Sequence, residues 1–302
     1  MTPATGSANV ASMSNNFRAG LITGRLLPLL LVSCVAGCAD PRPVGIYQVR
    51  TQAGVRFADR KTGPLKMDIG FPVSENAANR PAVLWLHGGG YALGSRRQMA
   101  DLVEFTASLG YVSATADYRL TTEGVRLADI YADARDAYLY LRKNATDLGI
   151  DPDRISVGGE SAGGHLALLV GLKEQGVRSI IDLYGPTDLV PFYDQSRLTW
   201  KETTLLMAMG KTPREDPEAW RSSSPVNLVS SNSPPVLIMH GTKDDIVPFS
   251  QARLLRDRLR QAGARVVFAP VNGADHGWVL NTWGNTSLKT LPLIAHFLCS
   301  SG

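Results

Sequence analysis

The chain has 302 residues, 44% of them apolar and 19% charged, with a formal net charge of +4. Such a chain can bury one large core or two small ones, which excludes a disordered chain or a nucleic-acid coat. Residues 1–37 contain Arg18 and Arg25 and no acid, so the rest carries +4 − 2 = +2, too little to imply a polyanionic partner.

Arg18 and Arg25 precede the apolar stretch Leu26 to Ala36, which ends in small residues. A positive region, a short apolar core and small residues make a secretory signal. The core is too short, and broken by Pro28, for a membrane span. Val35-Ala36-Gly37-Cys38 resembles the lipobox of bacterial lipoproteins, whose cysteine is lipidated and becomes the new N-terminus. Leu31-Val32-Ser33-Cys34 fits the same loose pattern, but after Cys38 the run Asp40-Pro41-Arg42-Pro43 begins a polar tether, so Cys38 is preferred. Met13 is an alternative start, and a plain cleaved signal is the alternative to an anchor. The expected organisation is a signal over 1–37, a tether over 38–45 and a single domain over 46–300. The expected location is the bacterial cell envelope, with membrane contact through the lipid. Cys299, at the end of the apolar run 291–298, reads as a small buried hydrophobe. No disulfide framework or Cys/His metal cluster is visible.

Tyr47 to Val73 reads as two strands around a turn near Lys61-Thr62-Gly63-Pro64. Ala82 to Leu86 is a continuous apolar run, as expected of a strand covered on both faces, and Tyr111 to Ala116 is a weaker one. Ile130, Ala134, Ala137, Leu141 and Leu148 predict one amphipathic helix over Asp129–Leu148, stopped by Gly149. Ile155 to Val157 is a strand and Gly164 to Val170 a helix. Ile180 to Tyr184 and Val236 to Met239 are further buried strands. Gln251 to Ala262 is a helix and Arg265 to Ala269 the last strand. Strands alternating with helices imply an α/β fold with a mostly parallel sheet, in which ligands bind beyond the carboxyl ends of the strands. Thr187 to Ser224 has no clear sheet strand and reads as a cap.

Between the strand at 155–157 and the helix at 164–170 lies Gly159-Glu160-Ser161-Ala162-Gly163. A serine flanked by glycines on a strand-to-helix turn has its hydroxyl pushed out of the sheet, beside backbone N–H groups and a helix N-terminus. Serine is a weak nucleophile without a base. Of the five histidines, His276 lies in a glycine-containing loop after the last strand and is the expected base. His87, His165, His240 and His296 read as structural. The run His240 to Pro248 supplies two orienting carboxylates, Asp244 and Asp245, whereas Asp275 adjoins His276 and is poorly placed to hold its ring. His87-Gly88-Gly89-Gly90 follows an apolar strand and can bring free backbone N–H groups to an oxyanion, with the Ala162 N–H completing the hole.

These runs, with Asp117-Tyr118-Arg119-Leu120 and Gly149 to Ile155, resemble the α/β-hydrolase superfamily over most of residues 44–298. More narrowly they resemble the esterase/lipase branch that includes hormone-sensitive-lipase-like and BD-FAE-like enzymes. Thr121-Thr122, where the lipase-like branch often has Ala-Pro, favours the BD-FAE-like side. The resemblance implies a mostly parallel sheet with helices on both faces and a cap over about 187–224. It also implies a Ser161–His276–Asp244 triad, Asp244 being favoured by the Gly-x-x-Asp-x-x-Val-Pro spacing with Asp245 second. Gly89, Gly90 and Ala162 are the implied oxyanion donors. The implied activity is hydrolysis of small or short-acyl carboxylic esters, carbohydrate-linked ones among the options, through an acyl-enzyme and without metal or organic cofactor. Amide hydrolysis by the same triad, or a non-catalytic binding module on the same fold, are the competing readings.

Overall fold

The computed structural model describes residues 46–74, 78–196, 199–280 and 285–301. The expected signal, the tether and Cys38 lie outside them. Strand β1 (Val49–Arg60) turns back into β2 (Gly63–Pro72), and β3 spans Arg80–Leu86. Helix α1 (Ala100–Ser108), β4 (Val112–Ala116), α2 (Leu127–Lys143) and α3 (Ala145–Leu148) follow. Next come β5 (Ile150–Glu160), α4 (Ala162–Lys173) and β6 (Val177–Leu183), then three short cap helices, α5 (Leu189–Gln195), α6 (Trp200–Met209) and α7 (Pro217–Ser222). The chain ends through β7 (Val236–Gly241), α8 (Ser250–Gln261), β8 (Val266–Val271) and α9 (Asn285–Ser300).

The eight strands form one sheet in the order β1-β2-β4-β3-β5-β6-β7-β8. β1, β2 and β4 pair antiparallel, and every pair from β4–β3 to β7–β8 is parallel. The central strands are unbroken apolar runs because both their faces are covered. Leu84, Val157, Ile180 and Ile238 pack under α2, α4 and α8, while Val83, Trp85, Ile181 and Leu237 pack under α1 and α9. Each fully buried side chain of this size contributes roughly 1.5–3 kcal/mol.

Three expectations change. The helix predicted over Asp129–Leu148 is interrupted at Asn144, whose backbone leaves helical geometry (φ −100°, ψ 20°) while its side-chain amide donates to Tyr140 O at 2.8 Å. Gly149, at φ 68°, ends the short second piece as expected. Helix α1 was not evident in the sequence; Leu102, Val103 and Phe105 bury it against β3 and β4. Cys299 is buried but is not a plain hydrophobe: it is disulfide-bonded.

The cap is tied down at both ends of α6. Lys201 Nζ donates to the carbonyls of Asp245 (2.8 Å) and Ile246 (3.1 Å), beyond the end of β7. Arg126 Nη1 donates to Met207 O at 2.8 Å.

Candidate active site

Ser161 stands between β5 and α4 with φ 53° and ψ −120°, a conformation that costs a non-glycine residue about 1–3 kcal/mol. Its neighbours must be glycines because backbone crosses backbone here. A Cβ on Gly159 would lie 2.3 Å from Gly163 O, and one on Gly163 would lie 2.0 Å from Leu86 O. The turn is pinned by Ser161 N donating to Leu183 O at 2.9 Å.

His276 arrives on the loop after β8, where Gly273 and Gly277 adopt φ 76° and 79°. Its Nε2 lies 2.8 Å from Ser161 Oγ and its Nδ1 lies 2.8 Å from Asp244 Oδ2. An ionised carboxylate only accepts, so Nδ1 carries the proton and Nε2 accepts the serine hydroxyl. The edge-to-face ring of Tyr184, at 4.8 Å between centroids, packs against the imidazole. Asp244 follows β7, and its Oδ1 accepts from Ile246 N (3.0 Å) and Val247 N (2.8 Å). Burial alone would push its carboxyl up. The bonds from His240 and His276, the His276 charge and the Val247 N–H together hold it well below the usual carboxylate range. Asp245 and Asp275 are exposed. Of the candidate acids, only Asp244 meets the histidine.

Gly89, Gly90 and Ala162 line one cleft with Ser161 and His276. Gly89, at φ 106°, has no room for a side chain, since a Cβ would lie 2.2 Å from Leu93 O. The glycine loop is held from three sides. Gly88 N donates to Glu160 Oε1 at 2.7 Å. Tyr118 stacks on the His87 ring (4.1 Å, 8°) and donates its hydroxyl to His87 O at 2.7 Å. Tyr91, at φ 65°, places its hydroxyl 3.0 Å from His165 Nδ1, while His165 Nε2 donates to Ser223 O of the cap at 2.8 Å. Burial pushes both His87 and His165 down to about 4, against the backbone carbonyls they bond, so both are neutral near pH 7. Burial also pushes the Glu160 carboxyl up, opposed by the Gly88 N–H, His276 and the neighbouring Tyr184 hydroxyl.

Sequence reasoning missed Glu160 and the contact of His240 with Asp244. Glu160 lies inside the motif that drew attention to Ser161, but nothing in the spacing says that it reaches Gly88, 72 residues away.

The cleft is about 280 Å³. Phe192, Trp200, Thr204 and Leu205 line it, so part of Thr187–Ser224 faces the nucleophile. Tyr193 and Trp220 instead meet edge-to-face within the cap, 5.1 Å between centroids.

Residues 67–259 match the BD-FAE family model. The chain belongs to the BD-FAE family. Among curated relatives of this BD-FAE member, esterase LipC of Mycobacterium tuberculosis is 30% identical over 72% of the chain and 58% of that protein. Esterase LipQ of the same organism is 28% identical over 66% of the chain and 51% of that protein. The chain thus spans little more than half the length of these relatives. Among solved structures, Thermogutta terrifontis Est2 with butyrate bound is 28% identical, with a TM-score of 0.68 over 81% of this chain and 91% of that one. The same esterase phosphorylated by paraoxon is 29% identical, with a TM-score of 0.67 over the same shares. The sheet order and these likenesses make the fold an α/β-hydrolase.

Proposed function

We propose that this BD-FAE family member is a serine carboxylesterase. The observation that carries the proposal is the continuous chain Ser161 Oγ–His276–Asp244, with 2.8 Å at each step, opening into a cleft lined by Gly89, Gly90 and Ala162. His276 Nε2 takes the serine proton as Oγ bonds to the ester carbonyl. The Gly89, Gly90 and Ala162 amides stabilise the tetrahedral oxyanion, each such donor contributing ~3–4 kcal/mol. The imidazolium then protonates the departing alkoxide, leaving an acyl-serine. His276 next deprotonates a water that attacks the acyl carbon; the acyl–Oγ bond then breaks, the imidazolium returns its proton to Ser161 Oγ and the acid is freed.

Small or short-acyl esters fit best. Leu93, Phe192, Trp200, Leu205, Ile246 and Val247 give the cleft apolar walls. Two of its polar side chains are already engaged, Lys201 with two carbonyls and Glu160 with Gly88. An apolar alcohol is therefore favoured over a sugar. Hydrolysis of 4-nitrophenyl acetate, butyrate, octanoate and palmitate, beside an acetylated sugar and a matched anilide, tests this. Turnover falling steeply beyond octanoate is the expected result. A preference for the anilide or the sugar would overturn it.

Export and anchoring through Cys38 form a second part of the proposal, supported by residues 18–43 alone. The Cys299 disulfide competes with it, because Cys34 and Cys38 are the other two cysteines of the chain. Intact and peptide mass spectrometry of the native protein decides: a diacylated Cys38 supports the anchor, and a Cys299 crosslink to either cysteine overturns it.

A further inference from the structure

Behind the acid lies a buried pair that the proposed chemistry does not use. On neighbouring strands β6 and β7, Asp182 pairs with Ile238, so His240, two residues further on, shares its face of the sheet. Both side chains are fully buried, at 0% exposure. His240 Nε2 lies 2.8 Å from Val247 O, which can only accept, so Nε2 carries a proton. The same Nε2 lies 3.2 Å from Asp244 Oδ2, the oxygen that His276 also holds. Phe249 covers the imidazole edge-on at 5.8 Å.

The far ends of the pair are left open. Asp182 Oδ1 accepts from Gly185 N at 2.9 Å, whereas its Oδ2 has no partner among the described residues, and neither has His240 Nδ1. Leaving a buried polar atom unpaired costs about 1–3 kcal/mol. The two atoms do not hydrogen-bond each other, so Asp182 acts on His240 through its charge across the sheet face. Glycine lets the backbone close on this carboxyl, since a Cβ on Gly164 would stand 2.7 Å from Asp182 Oδ1 and one on Gly185 2.6 Å from it. Burial pushes the Asp182 carboxyl up to about 7, against the pull of His240 and the Gly185 N–H.

We propose that His240 is a positioning residue for the catalytic acid, fixing Asp244 Oδ2 for His276, with the buried Asp182 on the same sheet face behind it, whose charge then bears on the triad. It rests on the triad proposed above. The titratable groups around His240 among the described residues are Asp182 from β6 and Asp244 from the loop after β7, with His276 beyond Asp244. As the pH rises and Asp182 loses its proton, negative charge builds behind Asp244.

The test measures kcat and KM for 4-nitrophenyl butyrate from pH 5 to 9 on the full chain. His240→Ala should lower kcat about tenfold or more, with KM within about twofold, as expected when a general base loses its alignment. His240→Gln, whose amide can still donate toward Val247 O and Asp244, should recover most of the loss. Asp182→Asn, which is neutral at every pH as protonated Asp182 is, should match the wild type near pH 5. It should depart from it by about threefold or more by pH 9. Folded His240→Ala with wild-type kcat, or an Asp182→Asn ratio that is constant with pH, overturns the proposal. If His240→Ala does not fold, the Asp182→Asn pH ratio decides alone. If the wild type hydrolyses no ester, the triad reading falls and this proposal with it; if the wild type is active and these variants are indistinguishable from it, this proposal falls alone.

Discussion

The carboxylate of Glu160 accepts the N–H of Gly88 at 2.7 Å, so the residue before the nucleophile holds the start of the glycine loop that borders the cleft. Loop and nucleophile are thereby fixed to each other by one buried bond. Glu160→Gln keeps an acceptor oxygen and should retain most activity. Glu160→Ala orphans a buried N–H at a cost of about 1–3 kcal/mol and frees the loop. Its kcat should fall more than tenfold and its thermal midpoint should drop, both measured beside Glu160→Gln.

Asp244 and Asp245 are neighbours in sequence with opposite surroundings, one buried against two histidines and the other exposed. Asp244→Asn should lower kcat by about 10³–10⁴-fold through loss of the correct imidazole tautomer. Asp245→Asn should stay within about twofold of the wild type, because the cap is tied to the Asp245 carbonyl rather than to its carboxylate.

Phe192, on cap helix α5, closes part of the cleft wall. Phe192→Ala removes a large ring and should lengthen the best-hydrolysed acyl chain by two or more carbons while weakening the cap. A chain-length series of 4-nitrophenyl esters measures the shift; an unchanged optimum would place the acyl group elsewhere in the cleft.

Lys201 bridges α6 to the loop carrying Asp244 through two carbonyls. Lys201→Met keeps the stem and removes both bonds, worth about 1 kcal/mol in net terms. KM should rise about fivefold with kcat within about twofold, read from steady-state kinetics on the butyrate ester.

Stability should decline on mild acidification. His87 and His165 are held near 4 in the folded chain against 6.5 when unfolded, so the unfolded state binds their protons first. Their contribution is complete above about pH 6.5 and is lost progressively as the pH falls toward 4. Urea midpoints between pH 7 and 4 should fall, and the slope should be shallower in His165→Gln.

The strands and the order of the active-site runs were legible because each carries a local signature. Examples are the apolar run Ala82 to Leu86, the glycine-flanked Ser161 and the glycine-containing loop of His276. Spacing favoured Asp244, but its separation from Asp245 rests on which of two adjacent side chains turns inward, and that is fixed by Ile246 and Val247 donating to Oδ1. Glu160 was opaque for another reason. Its partner, Gly88, lies in a loop after another strand, and no period or spacing in the chain records strand order. The break at Asn144 was hidden because the apolar spacing continues across it.

The most direct test is covalent labelling of the folded protein with a fluorophosphonate, read by intact mass and peptide mapping. One adduct per chain, on Ser161, absent from Ser161→Ala and slowed by at least a hundredfold in His276→Ala, is the result expected of a serine made nucleophilic by its histidine. Folded wild-type protein that takes no adduct, or takes it on another residue, contradicts the account.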